Sequence, residues 1–174
     1  MSLSLSLAKE RKPNVPALKT REPRPFAVEE PSGALHPKPS VRVGGDRKIL
    51  VVEDNPVVLQ AFKFKLEASG FAVTTCTSAG GAARVAETSR AQLIILDLDF
   101  PTEGAMQWSG FSVIQWLRRL PRLATVPVIM VGGGEPAKYE EQALAAGACA
   151  FFQKPMNYPE LLAAILQALP GGTG

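Results

Sequence analysis

The chain carries one histidine, His36, and it lies in a segment with no pattern of strand or helix. The remaining sequence therefore has no Ser–His or Cys–His pair, no His-ligated zinc site and no histidine to carry a phosphoryl group. Cysteine is almost as scarce. Cys76 and Cys149 stand apart in apolar runs, with no CxxC spacing, and are expected buried and reduced. No apolar stretch approaches the ~18 residues that span a bilayer. The alternating Ser and Leu of residues 1–7 are short for a signal peptide, and positive charge follows them instead of preceding them. The expectation is a soluble, cytoplasmic protein. A GxGxxG is also missing, and the one glycine cluster, Gly132 to Gly134, stands late in the chain. That weighs against a nucleotide- or flavin-binding enzyme.

Charge is present but unevenly placed. The net charge is +3. Residues 1–46 hold eight Lys and Arg against five Asp and Glu, whereas residues 47–174 hold eleven of each. A neutral folded part has no broad electrostatic footprint for nucleic acid. Residues 1–46 also carry seven of the fifteen prolines, among mixed charges. Such a segment buries too little apolar surface to offset its ordering entropy, so a disordered Pro-rich basic tail is expected, either a plain leader or a docking tail.

From Arg47 onward, apolar runs of strand length alternate with amphipathic stretches of helix length. The strand runs are Ile49–Val52, Phe71–Cys76, Leu93–Leu96, Val126–Val131 and Ala148–Gln153. The helices are read as follows. Asn55-Pro56 opens one, with Val58, Phe62 and Leu66 on a face and Gly70 at its end. A weak one covers Ala82–Thr88. Phe111–Leu120 places Val113, Leu117 and Leu120 together. Pro136–Ala146 is closed by Gly147. The last starts at Asn157, with Glu160 as capping-box partner, buries Leu161, Ile165 and Leu169, and stops at Pro170-Gly171. Strand–helix alternation with short loops implies right-handed crossovers and a parallel sheet covered on both faces. In such a sheet the ligand site lies outside the carboxyl ends of the strands.

Charged residues gather at those ends. Glu53 and Asp54 follow the first strand, Asp97 follows the third, and Lys154-Pro155 follows the fifth. Singly, an acidic pair is an ordinary cap or turn, and a Lys-Pro is an ordinary surface turn. Together they would converge, and three close carboxylates repel one another unless a cation sits among them. Oxygen ligands alone suit a hard divalent ion, and Mg²⁺ binds through a few carboxylates plus phosphate oxygens. Lys154 could neutralise a carboxylate or hold an incoming phosphate.

With these residues in view, the sequence resembles the response-regulator receiver domain of two-component signalling. The resemblance rests on Ile49-Leu50-Val51-Val52-Glu53-Asp54-Asn55, on Leu93-Ile94-Ile95-Leu96-Asp97-Leu98-Asp99-Phe100-Pro101, on Pro127-Val128-Ile129-Met130-Val131, and on Gly147-Ala148 through Phe151-Phe152-Gln153-Lys154-Pro155. It covers about Arg47 to Leu169. It implies a flavodoxin-like, doubly wound α/β fold with a five-stranded parallel sheet in the order 2-1-3-4-5. It implies that Asp97 accepts the phosphoryl group and that Glu53, Asp54 and Asp97 hold Mg²⁺. Lys154 would contact the phosphoryl group, a cis peptide bond would precede Pro155, and Phe151 would be the aromatic switch residue. The domains are then a tail, 1–46, and a receiver domain, 47–174.

Two features depart from the family pattern. The family places Thr or Ser after the fourth strand, where its hydroxyl bonds the phosphoryl group. Here that switch position is Gly132, and Gly133 and Gly134 offer no side-chain donor either. A backbone N–H could substitute, since glycine permits close approach. The segment from Pro101 to Gly110 is also longer than the pattern. With Met106 and Trp108 in it, residues 102–109 read as a spacer or as a lid. Asp99 adds a further negative charge, which would slow an anionic phosphodonor or position a water.

The function implied is a phosphoacceptor module, served by a histidine kinase or histidine phosphotransfer protein. No catalysis is expected beyond its own phosphorylation and dephosphorylation. No further domain is expected after Gly174, so output is expected through contact with a downstream protein of unknown identity. The alternative is a phosphorylation-independent protein-binding pseudo-receiver, its switch degraded at Gly132.

Overall fold

The computed structural model describes residues 47–100 and 109–169. The expectations for the tail 1–46, for residues 102–108 of the long loop and for Pro170-Gly171 lie outside the described residues. The elements run β1 (Lys48–Val52), α1 (Pro56–Ala68), β2 (Ala72–Cys76), a 3₁₀ turn (Ala79–Gly81), α2 (Ala82–Ser89), β3 (Leu93–Asp97), α3 (Gly110–Leu117), β4 (Val128–Gly132), α4 (Pro136–Ala145), β5 (Ala150–Gln153) and α5 (Tyr158–Ala168). The strands form one parallel sheet in the order β2-β1-β3-β4-β5. This is the doubly wound, flavodoxin-like topology that the family resemblance implies, and the parallel sheet is the one expected from the alternation.

The three central strands are apolar on both faces, because helices cover both. Pleat alternation divides their side chains between two cores. Leu50, Val52, Ile94, Leu96, Val128 and Met130 pack with α2, α3 and α4 residues such as Ala86, Val113, Leu117 and Ala143. Ile49, Val51, Leu93, Ile95, Ile129 and Val131 pack with Leu59, Phe62 and Leu66 of α1 and Leu161 and Ile165 of α5. Burying one such side chain is worth about 1.5–3 kcal/mol relative to leaving it exposed.

Local chemistry sets the helix ends that point at the strand tips. Asn55 is extended, and its Oδ1 accepts from the N–H of Val57 at 3.0 Å and of Val58 at 3.4 Å, with Pro56 at the first helical position. Gly70, at φ 90, turns the chain out of α1. Ser109 caps α3, its Oγ accepting from Ser112 N while Ser112 Oγ accepts from Ser109 N.

Several details differ from the pattern reading. Asp97 and Gly132 are the last residues of β3 and β4, not residues beyond them, with Asp97 paired to Val131 and Gly132 to Gln153. On α1, Phe62 and Leu66 are buried as expected, but Leu59 joins them in place of Val58, which is only half-buried. The last helix has Asn157 as cap, but its side chain caps no backbone N–H. Its Nδ2 donates instead to Glu160 Oε1 at 2.9 Å. Cys149 is exposed, contrary to the expectation from its apolar run; Cys76 is buried, and neither forms a disulfide. Cys149 precedes β5, at the turn after α4, where only one side of the chain faces the core. No helix among the described residues is long and apolar enough to cross a membrane.

Candidate functional site

The carboxyl ends of β1, β3 and β5 bring four charged groups together. Glu53 is 1% exposed and Asp97 is 1% exposed. Lys154 Nζ donates to Glu53 Oε2 at 2.7 Å and lies 2.9 Å from Asp97 Oδ2. The backbone places this lysine by donating Lys154 N to Gly132 O, and the Lys154–Pro155 peptide bond is cis. Glu53 Oε1 accepts from Asn55 N at 3.1 Å, and Asp97 Oδ1 accepts from Asp99 N at 3.1 Å. Each oxygen of the buried pair is thus aimed, some at the lysine and some at backbone N–H groups. Asp54, half-buried, completes a set of three carboxylates whose ligand atoms lie within 4.8 Å of one another.

Among the described residues, three clustered carboxylates have one ammonium paired with two of them, so a negative excess remains. Burial pushes the Glu53 carboxyl above its ordinary range, and the Asp97 charge adds to this, while the Lys154 hydrogen bond opposes it. Burial alone would lower the Lys154 value. The hydrogen bonds from Lys154 to Glu53 and Asp97 outweigh it, and the ammonium is held above its usual value. Lys154 is therefore firmly charged at neutral pH, and the surplus of anionic oxygen suits a hard cation.

Gly132 and Phe151, the positions that the resemblance names as switch residues, lie on β4 and β5. Gly132 is buried, and the site a Cβ would take lies 2.7 Å from Leu98 Cβ and 3.1 Å from Leu98 Cδ2. The Leu98 side chain occupies the place where a side chain on Gly132 would stand. Asp99, exposed, turns its Oδ2 to Gly133 N at 2.8 Å. Gly134 has φ +90, and Tyr139 lies against it, with Cε2 2.5 Å from where a Cβ would be. Phe151 is half-buried and packs on the α2–α3–α4 core. Tyr139 of that core stacks on Phe111 at 6.4 Å between centroids.

Sequence reasoning named Glu53, Asp54, Asp97 and Lys154, and these four are brought together. Gly132 adjoins them through its carbonyl, which accepts from Lys154 N, while Phe151 lies further back on β5, paired with Met130. It missed Gly110. A Cβ there would lie 2.5 Å from the Asp97 carbonyl oxygen and 2.8 Å from Leu98 Cα. The glycine lets α3 start against the strand end that carries Asp97, and Gly110 N donates to Leu98 O at 3.1 Å. The only signal was a glycine directly after a capping serine. Leu98 was also passed over, because nothing local distinguishes it from the other apolar residues.

A doubly wound parallel sheet with an acid cluster and a lysine at its carboxyl end defines a receiver-type signalling module. A family model, the response regulator receiver domain, matches residues 49–166, and the chain belongs to that family. It is 33% identical over 125 residues to the transcriptional regulatory protein KdpE of Mycobacterium tuberculosis, covering 72% of this chain and 52% of KdpE. The chain thus spans about half the length of that relative. It is 29% identical to the polar-differentiation response regulator DivK of Brucella anthropi, over 68% of this chain and 93% of DivK. Among solved structures, a response regulator from Desulfuromonas acetoxidans superposes with a TM-score of 0.61 at 32% identity, over 71% of this chain and 96% of that one. The Vibrio cholerae chemotaxis protein CheY4, at 24% identity and a TM-score of 0.63, covers 70% of this chain and 98% of its own and shares the fold.

Proposed function

We propose that the chain is the phosphoacceptor of a two-component phosphorelay in the cytoplasm, with Asp97 receiving the phosphoryl group from a histidine kinase or histidine phosphotransfer protein. A carboxylate oxygen of Asp97 attacks phosphorus, the P–N bond of the partner's phosphohistidine breaks, and the imidazole leaves as the acyl phosphate forms. The observation that carries this reading is the Lys154 ammonium held between Glu53 and Asp97 at 2.7 and 2.9 Å. It places a fixed positive charge beside the nucleophile, where charge accumulates on the transferring oxygens. Glu53, Asp54 and Asp97 would hold Mg²⁺, which supplies further neutralisation of that charge when bound. The folded domain needs no nucleic acid for this, and its output passes to a downstream protein.

Incubation with acetyl phosphate and Mg²⁺ followed by intact-mass measurement tests the reading. One phosphoryl adduct is expected, absent in Asp97→Asn. Undiminished labelling of Asp97→Asn would overturn it.

One observation favours a second reading. Gly132 has no side chain, and Leu98 fills its place, so no side-chain hydroxyl at this position makes the family's contact. In a phosphorylation-independent binding module, beryllofluoride, a phosphoryl mimic, would leave the NMR spectrum of α4 and β5 unchanged. In the favoured reading those resonances shift.

A further inference from the structure

Resting on the phosphoacceptor reading, we infer that Asp99 is a positioning residue: its carboxylate latches the β4–α4 loop, and phosphorylation of Asp97 releases it. The run Gly132 to Gly134 has no side chains of its own, and the Gln153 side chain ties one end of it, Nε2 donating to Gly134 O at 2.9 Å. Among the described residues beyond its chain neighbours, the one heavy atom near the place of an added Cβ on Gly133 is Asp99 Oδ2, at 3.5 Å. At Gly133 itself the loop is held by the 2.8 Å hydrogen bond from Gly133 N to that same oxygen. The bond joins residues 34 apart in sequence. Its acceptor is charged, so it is stronger than a neutral bond.

The other end of Asp99 touches the phosphoacceptor. Asp99 N donates to Asp97 Oδ1 at 3.1 Å. One residue thus contacts Asp97 through its backbone and the loop through its side chain. Phosphorylation raises the negative charge on Asp97 toward about −2. Like charges close together repel, and Asp99 lies at the exposed rim, free to turn into water. The Gly133 N–H it gives up then has a more negative acceptor in the phosphoryl oxygens. A family hydroxyl would be drawn to the phosphoryl group; here an anion is driven from it. The glycine run suits this device, because the moving part is backbone.

Amide exchange and NMR shifts of Gly133 test the latch, with beryllofluoride and Mg²⁺ as the probe. In the free domain Asp99→Ala should speed exchange of the Gly133 amide by roughly tenfold, since a hydrogen bond to a charged acceptor is lost. Asp99→Asn keeps an acceptor of the same shape without charge, so exchange should stay slow and the shift of Gly133 on adding beryllofluoride should shrink. Equal exchange in Asp99→Ala and the unsubstituted protein would overturn the latch. So would an Asp99→Asn response as large as that of the unsubstituted protein. If beryllofluoride moves no resonance near Asp97 in the unsubstituted protein, the phosphoacceptor reading fails and the latch fails with it. If resonances around Asp97 move while Gly133 stays still, the latch alone fails.

Discussion

Leu98 stands where a side chain on Gly132 would have to go: the Cβ of one would lie 2.7 Å from the Cβ of the other. A contact that short forces a shift of β3 or β4, since Leu98 Cβ is fixed to its backbone. Restoring a hydroxyl by Gly132→Thr is therefore expected to destabilise the domain by about 1–3 kcal/mol, the range for overpacking a filled core. Leu98→Ala would itself leave a cavity. The double variant should nevertheless lose less than the two single losses together, because the residues share one space. Urea denaturation of the four proteins measures this; full additivity would show that the contact is not the cause.

Lys154→Ala removes the cation that, among the described residues, pairs with Glu53 and Asp97. Stability at neutral pH should fall by about 1–3 kcal/mol, because two buried carboxylates lose a charged donor. Mg²⁺ should restore part of it. An ion that binds only the folded state, at 100 times its dissociation constant, adds about 2.7 kcal/mol. Thermal melts with and without Mg²⁺ check both signs. Asp54→Ala should weaken the Mg²⁺ effect while leaving the metal-free protein at least as stable, since it removes an anion from a cluster already in excess.

Gly110→Ala should cost more than an ordinary Gly→Ala change, although alanine favours helix. Its Cβ would meet the backbone at the end of β3, the Asp97 carbonyl and Leu98 Cα. Backbone cannot rotate aside as a flexible side chain can. The expected outcome is a lower melting temperature together with weaker acetyl phosphate labelling, because α3 is pushed away from the strand end that carries Asp97. A variant as stable and as readily labelled as the parent would refute this account.

Tyr158 gives a pH dependence. Burial raises its phenol above the ordinary value, against the hydrogen bond with Ser69 at 3.1 Å. The folded state therefore holds the phenolic proton more tightly than the unfolded chain does. The resulting stability is fully present below ~10, the unfolded value, and is lost as pH rises through the higher folded value. Tyr158→Phe has no such proton, so its denaturation midpoint should decline less between pH 9 and pH 11.

The elements themselves were legible because their signals are local. Asn55-Pro56, Gly70 and Gly147 punctuate the chain, and the apolar runs of β1, β3 and β4 need a sheet covered on both faces. Glu53, Asp54, Asp97 and Lys154 were legible because a parallel sheet sends all its carboxyl ends to one side. What stayed hidden depends on contacts across the chain. Leu98 against Gly132, Asp99 on Gly133 and Gly110 beneath Asp97 join residues from different elements, and no periodicity records them. Cys149 misled for a related reason. Its apolar neighbours Ala148 and Ala150 belong to a turn and an edge strand, where one side of the chain faces outward.

The sheet acts as a bulkhead. Phe151 belongs to the core on the α2–α3–α4 side, while its neighbour Phe152 belongs to the core of α1 and α5. A volume change in one compartment reaches the other only by bending strands that are hydrogen-bonded along their length. The two compartments are joined chemically at the rim, where Lys154 from β5 grips Glu53 after β1 and Asp97 of β3. The helices on one side can thus drift in shape or sequence without retuning those on the other, provided the rim keeps its grip.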